Sequence, residues 1–214
     1  CKALELCEKR NIIHRDIKPE NIFVNDFGDF KLGDFGIARK LENMTGGLSQ
    51  KGTPNYMAPE VERGSRYDQT VDLYSLGLVL YLLMNRNRLP FLETEQQLKN
   101  PNERTNALRR RLNGEPLRRP CDASPAMAEV ILKACAYVPG DRFASATEMK
   151  EALRSVSNGT YRTGRGNRER YEETVNVRPP KGDGRGNDPF GRQDGGAQDQ
   201  PGGGAYDPPV GGRG

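Results

Sequence analysis

With one histidine (His14) and four cysteines (Cys1, Cys7, Cys121 and Cys135) in 214 residues, the chain has little to offer a zinc ion. No two cysteines stand in C-x-x-C spacing, which argues against a zinc ribbon or a redox dithiol. Thiols without a framework spacing suit a reducing compartment, so a cytoplasmic protein is expected. Long apolar runs are also missing. The longest, Val71 to Met84, has 14 residues and is interrupted by Asp72. It is too short to span a bilayer and fits a buried core helix, so no membrane segment is expected, and no signal-peptide pattern is visible. Nor is there an excess of one charge. Lys plus Arg number 33 against 29 Asp plus Glu, and 24 against 21 within residues 1–154. That balance lacks the basic surplus of a nucleic-acid binder. The one dense cluster, Arg109-Arg110-Arg111, reads as a solvated helix face.

Residues 155–214 contain no Leu, Ile or Met, while 15 are Gly and 6 are Pro. Such a segment cannot bury enough apolar surface to offset its ordering entropy. A disordered C-terminal tail is therefore expected over 155–214, leaving residues 1–154 as the folded domain.

Within that domain the tripeptide Asp-Phe-Gly occurs twice, at Asp26 and at Asp34. Ile22-Phe23-Val24 and Phe30-Lys31-Leu32 are short strand-like runs, and Asn25 to Asp29 between them is turn chemistry. Pairing Val24 with Phe30 also pairs Asn21 with Gly33. Asn21 then lies beside Asp34, and an amide and a carboxylate meet at one end of the hairpin. Hard oxygen ligands of this kind suit a magnesium ion that also holds nucleotide phosphates. Asp26 falls at the far end, in the turn. The second copy is thus the metal candidate.

Around it stand "HRDIKPENIF" (His14 to Phe23), "KLGDFGIAR" and "GTPNYMAPE" (Gly52 to Glu60). In order and spacing these resemble the catalytic loop, metal loop and substrate-docking segment of eukaryotic-type (Hanks-type) serine/threonine protein kinases. The resemblance implies ATP- and magnesium-dependent phosphorylation of protein Ser/Thr. It implies Asp16 as catalytic base, Lys18 beside the transferred phosphoryl group, and Asn21 and Asp34 as magnesium ligands. His14 is implied to support the metal loop by packing rather than to act as an acid or base. Arg15 before the catalytic Asp is similar to the subclass regulated by phosphorylation between Asp34 and Glu60, where Thr45 and Ser49 are the candidate acceptors and Thr53 is positional. Glu60 and Arg142 match a buried ion pair of the family, and Asp72 a carboxylate that accepts backbone N–H groups from the catalytic loop.

The fold this implies is a protein-kinase-like C-lobe, mainly α with a small β-hairpin at its active edge. Val71 to Met84, apolar nearly all round, is expected to be central. Residues 93–113 are polar and predict an exposed helix and loop at the rim. "SPAMAEVILKAC" offers Ser124 as N-cap, Pro125 at the first helical position, and Met127, Val130, Ile131 and Ala134 on one face. Ser145 to Glu148 reads as a capping box. No G-x-G-x-x-G, strand lysine or helical glutamate precedes His14, so the chain by itself is expected to lack an ATP clamp and to be inactive. A non-catalytic binding module is the alternative. "LLMNRNRLPFL" and "RRRLNGEPLRRP" look similar to bacterial serine/threonine kinases. In the tail, Thr174 of "YEETVNV" vaguely resembles motifs read by forkhead-associated domains, which would make a phosphothreonine-reading protein a further partner.

Overall fold

The computed structural model describes residues 1–36, 38–40 and 54–162. Thr45, Ser49, Thr53 and Thr174 lie outside the described residues, as does the tail beyond 162. The chain divides into two units, Cys1–Val177 and Arg178–Gly214, and every described residue belongs to the first.

Helix α1 (Lys2–Lys9) leads into the short strand β1 (Ile12–Ile13). A 3-10 turn (Pro19–Asn21) precedes β2 (Ile22–Val24) and β3 (Phe30–Leu32). These two strands pair antiparallel in the expected register, Ile22 opposite Leu32 and Val24 opposite Phe30. Strand β4 (Arg39–Lys40) pairs with β1, Ile13 opposite Arg39. Sequence reasoning missed this second ladder, because two-residue strands carry no alternation to read.

Helix α2 (Pro59–Glu62) is followed by α3 (Thr70–Leu83), the centre of the fold. Its all-round apolar character has a direct cause. Val71, Tyr74, Leu78 and Tyr81 enter one core cluster, with Met57, Val61 and Ile131. Leu73 and Val79 enter another, with Leu4, Ile17, Val130, Phe143 and Met149. Each such side chain stabilises the fold by roughly 1.5–3 kcal/mol on burial. At Gly77 the backbone comes so close to α6 (Pro125–Ala134) that an added Cβ would meet Ala134 Cβ and Cys135 Sγ at 2.8 Å. Helix α6 starts as expected: Ser124 accepts the Met127 N–H, and Pro125 takes the first helical position, where a missing N–H costs nothing.

Residues 93–113 form two helices rather than a helix and a loop. In α4 (Glu95–Lys99), Thr94 and Gln97 make a complete capping box. Asn100 then caps α5 (Pro101–Leu112). The rim assignment needs correction at Arg111, which is only 4% exposed, whereas Arg110 pairs at the surface with Glu115. Helix α7 (Ala146–Ser157) runs three residues past 154, and Val156 and Tyr161 pack on the core. Its capping box is half formed: Ser145 accepts the Glu148 N–H, but the Glu148 carboxylate turns to the Ala144 N–H and to Lys133. Helix α1 satisfies a further donor of that first turn, since Glu8 accepts the Ala146 N–H at 2.7 Å, and Glu5 takes the Thr147 hydroxyl. Among the described residues no helix is long and apolar enough to cross a membrane.

Candidate active site

The site is built outward from Asp72 in the first turn of α3. Its two carboxylate oxygens accept the N–H groups of His14 and Arg15 at 2.7 and 2.8 Å. Arg15 adopts a left-handed φ of 71°. That conformation costs an L-residue roughly 1–2 kcal/mol, and the paired bonds to Asp72 hold it there. Asp72 is fully buried, and burial pushes its carboxyl up to about 6 against the pull of the two N–H groups. The expectation drawn from the resemblance, a buried carboxylate accepting backbone N–H bonds, matches this geometry.

With residues 14–15 fixed, Asp16 follows directly in the segment between β1 and the 3-10 turn. Lys18 Nζ donates to its Oδ2 at 2.6 Å, and Asn21 Nδ2 donates to the same oxygen at 3.0 Å and to the Asp16 carbonyl at 2.8 Å. The bond to Asp16 raises the Lys18 pKa, so the ammonium stays charged. Pro19 opens the 3-10 turn with its φ preset, which carries the buried Asn21 back over Asp16 within one turn.

Beyond β2 and β3 the ladder continues by one bond, from Gly33 N–H to the Asn21 carbonyl at 2.9 Å. Asp34 follows at a left-handed φ of 56°, with its Oδ1 accepting the Gly36 N–H at 3.2 Å. The hairpin therefore brings Asn21 and Asp34 to one end, as the register predicted. The other Asp-Phe-Gly is an ordinary turn: Asn25 Oδ1 accepts the N–H groups of Phe27 and Asp29, and Gly28 takes φ 79°. Asp26 is exposed there, and Phe27 is 92% exposed.

His14 ties the two halves together. Its Nε2 donates to the Gly33 carbonyl at 3.0 Å, its Nδ1 accepts the Asp16 N–H at 3.4 Å, and its ring meets Phe35 edge-on at 4.5 Å. Burial lowers its pKa, consistent with a neutral imidazole that donates from one nitrogen and accepts at the other. This is a packing role.

The donor set fits magnesium. With Nδ2 committed to Asp16, the amide oxygen is the donor Asn21 would offer a cation, and Asp34 would add a carboxylate. Both are hard oxygen ligands. Among the described residues no group of three or more His, Cys, Asp or Glu side chains converges.

Below the site, Arg142 holds Glu60 at 2.6 and 2.8 Å, fixing α2 to the core. Two further side chains matter here: Ser75, which the sequence did not single out, and Arg111, which it placed on a solvated face but which is buried. Ser75 donates to the Tyr56 carbonyl at 2.7 Å, and Arg111 donates to the carbonyls of Pro54 and Met57 at 3.0 and 2.8 Å. The available signal was the i, i+4 spacing of Ala107 and Arg111 on the buried face of α5.

Residues 1–154 match the protein kinase domain family. The serine/threonine-protein kinase PknB of Mycolicibacterium smegmatis is 35% identical over 164 residues, 74% of this chain and 25% of that protein. The serine/threonine-protein kinase pkn3 of Myxococcus xanthus is 39% identical over 169 residues, 72% of this chain and 29% of that protein. The chain thus spans between a quarter and a third of the length of these relatives. With residues 1–154 matched to that domain, the chain belongs to the protein kinase family, as a Hanks-type serine/threonine kinase of bacterial type.

Proposed function

We propose that the parent protein transfers the γ-phosphoryl group of ATP to serine or threonine hydroxyls of protein substrates, and that this chain supplies the lower lobe of that enzyme. The observation that carries the proposal is the cluster in which Lys18 and Asn21 converge on one oxygen of Asp16, next to the hairpin end that bears Asp34. In this reading Asp16 orients the substrate hydroxyl and takes its proton. The hydroxyl oxygen bonds to the γ-phosphorus while the bond from that phosphorus to the bridging oxygen breaks, and ADP leaves. Lys18 holds positive charge beside the transferring group, where it offsets charge in the transition state. Magnesium held by Asn21 and Asp34 would neutralise the phosphates. Arg15 and His14 keep the backbone of the loop in place.

In this reading the chain alone does not turn over, since the glycine-rich phosphate loop of the family is not among its residues. A non-catalytic scaffold would have no need of the intact Asp16–Lys18–Asn21 cluster. We place the enzyme in the cytoplasm, where the four free thiols remain reduced.

The test is a pair of substitutions in the parent enzyme. Asp34→Asn should lower kcat for a Ser/Thr peptide by roughly 10²–10³-fold, the scale of lost electrostatic stabilisation. Asp26→Asn should leave it within about twofold, as expected for an exposed turn residue. Loss of activity in the second variant, or retention in the first, would reject the assignment.

A further inference from the structure

Arg111 is a buried guanidinium whose hydrogen bonds, among the described residues, reach no carboxylate. Nη1 donates to the Met57 carbonyl and to the Tyr74 hydroxyl, each at 2.8 Å, and Nη2 donates to the Pro54 carbonyl at 3.0 Å. The Tyr74 ring lies 5.6 Å from the guanidinium carbon. A buried cation without a counter-charge is costly, and a core position beside Ala107 is more simply filled by an apolar side chain. The charge is therefore to be explained by what it holds.

What it holds is a short stretch of backbone, Pro54 to Met57, that joins no strand ladder of the described residues. Its carbonyls are gripped from two helices: Pro54 and Met57 by Arg111 on α5, and Tyr56 by Ser75 on α3. Only a planar fork with several donors reaches two carbonyls three residues apart while a third bond fixes the fork itself. An ammonium at this place would satisfy one of them.

We propose that Arg111 is a positioning residue for the protein substrate. By clamping the Pro54–Met57 backbone between α3 and α5 it shapes the surface on which the acceptor peptide lies. The inference rests on the kinase reading above, in which this segment docks the substrate, and it gives the rim helix α5 a part in substrate affinity and none in nucleotide binding.

The experiment compares wild type, Arg111→Lys and Arg111→Met in two assays. In the first, hydrogen–deuterium exchange on the full chain should show the amides of residues 55–58 exchanging roughly tenfold faster in Arg111→Met, the scale of one lost charge-assisted bond, with α6 amides unchanged. In the second, the parent enzyme should show a KM for a Ser/Thr peptide raised roughly tenfold, with the KM for ATP unaltered. Arg111→Lys should fall between wild type and Arg111→Met in both. If Arg111→Met does not fold, Arg111→Lys decides alone. Unchanged exchange at 55–58, equal acceleration in α6, or parallel shifts of the two KM values would each overturn the proposal. A parent enzyme that phosphorylates no Ser/Thr peptide would instead remove the kinase reading, and exchange would still decide whether Arg111 clamps the segment.

Discussion

Replacing Arg142 by methionine isolates a carboxylate that the fold has buried. Glu60 on α2 and Arg142, which follows the 3-10 turn Pro139–Asp141, are 82 residues apart in sequence. Their side chains are 7% and 0% exposed, and the fork closes on both carboxylate oxygens at 2.6 and 2.8 Å. At an effective dielectric of about 20, unit charges this close attract by roughly 6 kcal/mol. Stripping water from each ion costs several kcal/mol, so the intact pair is close to neutral against an apolar pair of equal volume. The asymmetry appears when one partner is removed. Arg142→Met leaves the Glu60 charge without its counter-ion and takes a donor from the carbonyls of Ala136 and Tyr137. The expected loss is about 3–5 kcal/mol, a large fraction of the 5–15 kcal/mol typical of a domain. The double variant Glu60→Gln/Arg142→Met no longer buries an isolated charge. It should be more stable than the sum of the single effects by roughly 2–3 kcal/mol. Urea unfolding of the full chain, followed by far-ultraviolet circular dichroism at constant m, measures all three. Additivity within about 0.5 kcal/mol would refute the reasoning, because it would mean that neither single variant leaves a stranded charge.

Asp72 makes a pH-dependent prediction of definite sign. Burial raises its carboxyl to about 6, so between the unfolded value of about 3.9 and that point the folded state holds a proton the unfolded state has lost. Its contribution to stability is complete below that window and declines as pH rises through it. The stability gap between wild type and Asp72→Asn should therefore be larger at pH 4 than at pH 7, and a gap that grows with pH would contradict a raised pKa. Gly77→Ala should cost about 1–3 kcal/mol by overpacking, because the new methyl would press on Ala134 and Cys135 on the facing helix. Thermal unfolding checks this, and an unchanged midpoint would show that α3 and α6 separate without penalty.

Much of the site was legible because its signals are local. Asn21, Gly33 and Asp34 could be brought together from the register of one hairpin, since a two-stranded ladder with a short turn leaves few pairings. Ser124 and Pro125 announced the start of α6 by cap chemistry alone. Signals that depend on a distant partner were misread or missed. The Arg109–Arg111 run has the composition of a solvated face, and only the packing of α5 against Pro54–Met57 shows that its third member is buried. Glu148 satisfies a capping motif in sequence, yet in space Lys133 and the Ala144 N–H draw its carboxylate away, while Glu8 from the other end of the domain covers the Ala146 N–H.

The sequence by itself determined the family, the identity of the candidate site residues and the order of the main helices. These rest on motifs of a few residues and on periodicities that repeat within one element. Only the tertiary structure decided that Arg111 is buried, which carbonyls Arg111 and Arg142 hold, and that α7 runs on to Ser157. Burial and hydrogen bonding between segments 50 to 140 residues apart are set by the packing of whole helices, and no local pattern encodes that.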